Sequence, residues 1–280
     1  MNILFFGSSG FLPDSFINYH VRNKDKIYIV SRNLININKN IESIKINNFI
    51  NNIDKIKKID FDICYYFIAD KIIKKKIYDL KNSILYDLLK QIKNLKINKF
   101  VYFSSISLYE GLDSNIINSE LEILPKSIYA KNKYFEERLL IENLNFCTNI
   151  IFRIPMVIGK KMSSKIINYL KVYLKFKLYF FFSNKKCVIN YIMIEKLIEN
   201  VNDILLIQNK TKIINLSYNL TFNSIYEKKN IKYNNNILSE IISNIIFILR
   251  NIYKINKIYS FFFNSKKILI NYEKIHLENN

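Results

Sequence analysis

Scarcity is the most telling property of this sequence. Its 280 residues include four glycines, three prolines, three cysteines, two histidines and no tryptophan. With only His20 and His276 available, a histidine-rich metal centre is excluded and no metal site is expected. Cys64, Cys147 and Cys187 lie far apart, without CxxC spacing. That excludes a disulfide framework or a zinc site and fits reduced thiols in a cytoplasmic protein. No uncharged apolar run reaches the roughly 18 residues of a spanning helix, so no transmembrane segment is expected. The opening residues Met1 to Phe6 run straight into a glycine turn and lack signal-peptide architecture. Acidic residues are also few, 23 against 43 basic ones, which leaves a net charge of +20.

A charge of that size admits a nucleic-acid or anionic-membrane binder. Only five of the 43 basic residues are arginine, however, and the lysines are scattered along the chain. No helix-turn-helix, zinc-finger or RNP-like string accompanies them. Lysine as the favoured surface residue, in a chain with Asn, Ile and Lys tracts throughout, is the simpler account, and no specific nucleic-acid partner is expected. A positive field also suits a pyrophosphate cofactor or a nucleotide-linked substrate. The basic, aromatic stretch Lys165 to Phe182 could lie on a membrane surface. A buried helix beneath a substrate pocket is the preferred reading.

What is present is a large apolar fraction, 50%, enough for a sizeable core. The length suits one large domain, or a nucleotide domain with a smaller companion. Short apolar runs at Asn2 to Phe6, Lys26 to Val30, Ile63 to Ile68, Phe100 to Phe103 and Asn149 to Ile154 read as buried strands. Helical spacing appears at Phe11 to Val21, Asn82 to Leu95 and Tyr129 to Glu142. This alternation, from residue 1 to about residue 158, is the pattern of a doubly wound parallel sheet. Beyond Gly159 helical segments dominate (Lys165 to Lys175, Met193 to Ile207, Leu238 to Tyr253), with an extra strand at Lys212 to Leu216. The predicted class is α/β, with residues 1–160 forming the sheet domain and 161–280 a small, mostly helical C-terminal lobe.

A chain so poor in glycine and proline should keep them where the backbone has few alternatives. Gly7, Gly10, Gly111 and Gly159, with Pro13, Pro125 and Pro155, therefore mark constrained turns. Gly7-Ser8-Ser9-Gly10-Phe11-Leu12-Pro13 follows the first strand and opens a helix, the context of a dinucleotide loop. Its glycines would let the backbone approach a pyrophosphate, while the helix start offers N–H groups and positive dipole. Gly7, Ser9, Gly10, Phe11 and Leu12 are the candidate contacts. Pro13 removes one N–H and Asp14 adds negative charge nearby, which marks a modified loop. At the end of the second strand, where a carboxylate would select NAD, stand Ser31 and Arg32. The guanidinium fork of Arg32 suits a 2′-phosphate, favouring NADP over NAD.

Tyr129 and Lys133 spell YxxxK and share one face of a helix. Ser105 ends a parallel strand, where α/β sheets place their ligands. A tyrosine titrates at about pH 10 and needs a neighbouring cation to act as a base near neutrality. With 20 tyrosines in the chain, the spacing alone carries little. The ordered series carries the argument: glycine loop, strand ending in Ser104-Ser105, then Pro125 and YxxxK.

These motifs resemble the extended short-chain dehydrogenases/reductases, the NAD-dependent epimerase/dehydratase family. The likeness covers most of the chain and is strongest over residues 1–160. It rests on Met1 to Ile17, Phe61 to Asp70, the serine strand KFVYFSSISLYEG from Lys99 to Gly111, Pro125-Lys126-Ser127-Ile128-Tyr129, and Arg153 to Gly159. Asn190 to Leu197 and Ile213 to Ser217 are weaker landmarks, and Lys196 replaces an expected aspartate. The resemblance implies a Rossmann-type domain binding NADP or NAD, and a lobe holding a nucleotide-activated sugar. It implies Ser105, Tyr129 and Lys133 as catalytic residues. It adds Ala69, Asn82, Pro155 and Val157 to the cofactor contacts, which also include Tyr129 and Lys133. Ser105-Ile106-Ser107 stands where the dehydratase branch carries Thr-Asp-Glu, so no 4,6-dehydratase activity is expected. The leading expectation is a nucleotide-sugar epimerase or ketosugar reductase, for which a homodimer is compatible. The alternative is a non-catalytic NAD(P)-binding protein of the same fold.

Overall fold

In the first strand consecutive residues are apolar, so both of its faces need cover, and a parallel sheet between two helical layers provides it. The computed structural model describes residues 1–32, 41–45, 56–68, 83–110, 112, 116–159, 188–207, 210–221 and 269–270. Along the chain run β1 (Asn2–Phe6), α1 (Phe11–Arg22), β2 (Lys26–Ser31), β3 (Ile41–Lys45), β4 (Asp60–Tyr66), α2 (Ile84–Ile92) and β5 (Lys96–Ser105). A 3-10 helix (Ile106–Tyr109), β6 (Ile116–Ile117), α3 (Ile128–Asn143), β7 (Thr148–Ile154) and β8 (Met156–Ile158) follow. The last described elements are β9 (Val188–Met193), α4 (Ile194–Ile207), β10 (Lys212–Asn215), β11 (Tyr218–Thr221) and β12 (Leu269–Ile270).

Seven strands form one parallel sheet in the order β10-β7-β5-β4-β1-β2-β3. The order reverses between β1 and β4, with Phe6 in register with Val30 on one side and Tyr66 on the other. Such a switch point opens a crevice at the carboxyl ends of the strands. The doubly wound sheet predicted from the alternation is therefore present. Its seventh strand, β10, comes from beyond residue 160 and pairs with β7.

Alternate side chains divide the interior in two. Ile3, Phe5, Tyr65, Val101, Phe103 and Phe152 face α1 and α4, packing on Phe16, Leu197 and Val201. Leu4, Phe6, Tyr66, Phe100 and Tyr102 face α2 and α3, packing on Leu85, Leu88, Leu89 and Leu140. Each such aliphatic side chain contributes about 1.5–3 kcal/mol on burial. Aromatic rings stack through the first half, Phe5 on Tyr65 at 5.1 Å and Phe67 on Phe103 at 5.1 Å.

Several boundaries differ from expectation for local reasons. The second helix starts at Ile84 because Ser83 caps it, accepting from the Tyr86 N–H at 3.0 Å. Strand β3 falls in an Asn/Ile/Lys tract whose composition hid it. Pairing alone identifies the three-stranded sheet β11-β9-β8, where β8 peels away after Pro155. The predicted helices at Lys165 to Lys175 and Leu238 to Tyr253 lie outside the described residues. Among the described residues no helix is long and apolar enough to cross a membrane. Cys64 and Cys147 are free thiols, and burial pushes the Cys147 thiol up to about 12.

Candidate active site

The glycine turn sits at the switch point. Gly7 has φ 91° and donates its N–H to the Val30 carbonyl at 2.9 Å. A Cβ there would lie 3.1 Å from both the Ile68 nitrogen and the Phe67 carbonyl carbon, so both space and conformation require glycine. Gly10, with φ 126°, precedes α1 without any side-chain cap. By contrast Ser83 and Ser127 cap α2 and α3. The first amides of α1, at Phe11 and Leu12, thus receive no side-chain acceptor from their N-cap residue, the arrangement of an anion-binding helix start. Pro13 is the third helical residue, where its missing N–H has no helical partner to lose. Asp14 lines a groove of about 520 Å³ between α1 and α4, together with Tyr19, Glu195 and Glu199. This turn fits a pyrophosphate. Ser9 is exposed beside it, and Arg32 is exposed just past the end of β2. Ala69 and Asn82 lie outside the described residues.

Two strands along the same edge, β5 ends at Ser105. Its hydroxyl accepts from the Ser107 N–H at 3.2 Å and caps the 3-10 helix. The hydroxyls of Ser104 and Ser107 are buried and have no hydrogen-bond partner among the described residues. Helix α3 begins after Ser127, whose Oγ accepts from the Ala130 N–H at 3.1 Å. Glu110 secures that cap from outside, accepting from the Ser127 N–H at 3.0 Å and its hydroxyl at 3.1 Å. Tyr129, on the first turn, is 45% exposed, and no hydrogen bond ties it to other described residues.

Lys133 lies one turn further on and is mostly buried. Its Nζ donates to the Tyr102 hydroxyl at 2.8 Å and to the Phe103 carbonyl at 3.2 Å. It also pairs with Glu136 at 3.2 Å, and Tyr102 donates its own hydrogen bond to the same carboxylate. Burial, then the adjacent Glu136 carboxylate, pushes the Tyr102 hydroxyl well above its ordinary pKa, so it stays protonated. Sequence reasoning named Lys133 but missed Tyr102, Glu136 and Glu110. The i, i+3 spacing of Lys133 and Glu136 was the available signal.

Behind this group Arg153 of β7 holds Glu137 through two hydrogen bonds of 3.0 and 2.7 Å, both residues being almost wholly buried. Arg153 also donates to the Tyr109 hydroxyl at 2.8 Å, and Tyr109 donates to Asn215 at 2.8 Å. The Arg153 to Gly159 motif is thus partly a structural clamp joining β7, α3, the 3-10 helix and β10. After it, Pro155 is half-buried and Val157 belongs to the core facing α1 and α4. Lys196 is exposed on α4 and pairs with Glu199 at 2.5 Å.

No protein-family description matches the sequence, and no curated protein matches it. Solved structures do match. WbmG from Bordetella bronchiseptica, in complex with NAD, superposes with a TM-score of 0.64 at 15% identity, covering 81% of this chain and 76% of that one. UDP-glucuronic acid 4-epimerase from Bacillus cereus, in complex with NAD, gives 0.61 at 20% identity, covering 83% and 84%. UDP-N-acetylglucosamine 4-epimerase from Methanobrevibacter ruminantium, in complex with UDP-N-acetylmuramic acid, gives 0.62 at 19% identity, covering 81% and 80%. These likenesses establish the fold: a Rossmann-type sheet arranged as in the nucleotide-sugar 4-epimerases.

Proposed function

We propose that this chain is an NAD(P)-dependent epimerase or ketosugar reductase acting on a nucleotide-activated sugar. One observation carries the reading. The uncapped start of α1, behind Gly7 and Gly10, shares a sheet edge with Ser105 and with the helix bearing Tyr129 and Lys133. In this proposal the Phe11 and Leu12 amides hold the pyrophosphate, with Ser9 and the glycines around it. Arg32, where a carboxylate would select NAD, supports NADP. Ala69, Asn82, Pro155 and Val157 complete the cofactor contacts by resemblance. The matched structures of WbmG and the Bacillus cereus epimerase hold NAD and that of the Methanobrevibacter ruminantium epimerase holds UDP-N-acetylmuramic acid, which supports a nicotinamide cofactor and a nucleotide-sugar substrate.

The nicotinamide, when bound, supplies the hydride acceptor or donor. Tyr129 takes the proton of a sugar hydroxyl as hydride leaves the same carbon, and returns a proton to the ketone oxygen on reduction. Ser105 holds that oxygen in line. The Lys133 ammonium lowers the free-energy cost of the Tyr129 phenolate.

The test is a nucleotide-sugar panel with NAD(H) and NADP(H), following nicotinamide absorbance together with product identity. Identity is needed because an epimerase leaves no net absorbance change. Tyr129→Phe is expected to lower turnover by about 10²–10⁴-fold while retaining cofactor binding, since it removes one acid/base group. Undiminished turnover in that variant overturns the assignment. One observation favours the second reading, a non-catalytic nucleotide-binding protein: the Lys133 ammonium is already engaged by Glu136 and Tyr102. That reading predicts nucleotide binding without turnover of any sugar.

A further inference from the structure

The buried carboxylate of Glu136 is unexplained by the reaction just described. It is 2% exposed, one turn along α3 from Lys133, and it meets the very ammonium that Tyr129 would depend on. A buried carboxylate is costly unless paired, so its charge should stay bound to Lys133. The geometry points to Glu136 as a positioning residue that sets the working pH of Tyr129. Together with Tyr102 it anchors the Lys133 ammonium and offsets part of its positive field. This inference rests on the proposed roles of Tyr129 and Lys133.

A lone ammonium one helical turn from a tyrosine favours the phenolate. A carboxylate 3.2 Å from that ammonium turns a monopole into a short dipole, whose field falls off faster. The Lys133–Glu136 pair then stabilises a tyrosine phenolate less than a free lysine would. Other groups around Lys133 do not replace this control. From β5, Tyr102 is kept neutral by burial and by Glu136. From β4, the Tyr66 ring lies 6.2 Å from that of Tyr102. On α3, Glu137 is held by Arg153 of β7. Near the start of α3, Glu110 is committed to the backbone and hydroxyl of Ser127. Among the described residues Glu136 is the carboxylate joined to Lys133 itself.

The test is Glu136→Gln, which keeps the side-chain shape and an oxygen to accept from Tyr102 while removing the charge. The acid limb of kcat/KM should move to lower pH by about one unit, since a full charge is removed near the tyrosine. In parallel, the rate at which the Lys133 amine is acylated should rise several-fold over wild type at the same pH. That rate is read by peptide mass spectrometry, with exposed lysines as internal controls. Glu136→Asp, which restores a carboxylate, should return both readouts towards wild type. It also serves as the comparison if Glu136→Gln folds poorly, because shortening the carboxylate should then weaken the Lys133 pairing and raise acylation part-way. An unchanged pH profile in an active variant, or unchanged Lys133 acylation in both variants, overturns the inference. The acylation readout needs no turnover. A chain without activity on any sugar would refute the proposed function, whereas unaltered Lys133 reactivity would refute the role of Glu136.

Discussion

His20 is wholly buried on α1, with Nδ1 2.8 Å from Asp25 and Nε2 3.3 Å from the Tyr65 hydroxyl. Burial holds its pKa below the ordinary 6.5, and Asp25 opposes that only in part. The unfolded chain therefore takes up a proton before the folded one does. Stability contributed by neutral His20 is complete above about pH 6.5 and is lost as pH falls through that value towards the folded pKa. Thermal unfolding midpoints should drop between pH 7 and pH 5.5, and His20→Gln should flatten that slope. An equal slope in the variant would place the pH dependence elsewhere. This cluster could not be read from sequence, where His20 was only one of two histidines, because Tyr65 is 45 residues away.

At the scale of elements, α3 depends on how it begins. Its apolar periodicity is weak, and it buries polar residues (Asn132, Glu136 and Glu137) as well as Ala130, Leu139 and Leu140. Helix starts are stabilised where a side chain satisfies free amides, and here Ser127 does so while Glu110 holds Ser127. Ser127→Ala should cost about 1 kcal/mol. That corresponds to a fall of about 2–4 °C in Tm for a chain of this size class. Turnover should fall too, because Tyr129 lies two residues from the cap; an unaltered Tm would mean that Glu110 alone secures the helix. The serine of Pro-x-Ser-x-Tyr was visible in the sequence. Its partner Glu110 was not, since 17 residues separate them. Gly159 also takes a different explanation from the one its scarcity suggested. A Cβ there would meet the Phe11 ring at 2.5 Å and Ile194 at 2.6 Å, so space between α1 and α4 requires it.

For the whole molecule, the sheet unites segments from residue 2 to residue 215, so the glycine turn and the Ser105 edge belong to one folded body. A ligand that binds only this folded state stabilises it by mass action. NADPH at about 100 times its dissociation constant should add about 2.7 kcal/mol, seen as a rise in Tm by scanning fluorimetry. NADPH should outperform NADH at equal concentration if Arg32 binds a 2′-phosphate. The reverse order would assign Arg32 to the solvated surface.

The α/β class, the glycine turn, the serine strand and the YxxxK helix were legible from residue order alone. Each depends on local rules: apolar runs long enough for buried strands, glycines where φ is positive, and a capping serine before a helix. Tertiary structure alone decided which charges meet. Glu136 and Glu137 are adjacent in sequence, yet successive helix positions diverge by about 100°. One therefore reaches Lys133 and Tyr102, the other Arg153. That divergence acquires meaning only once β5 and β7 are paired in register beneath α3.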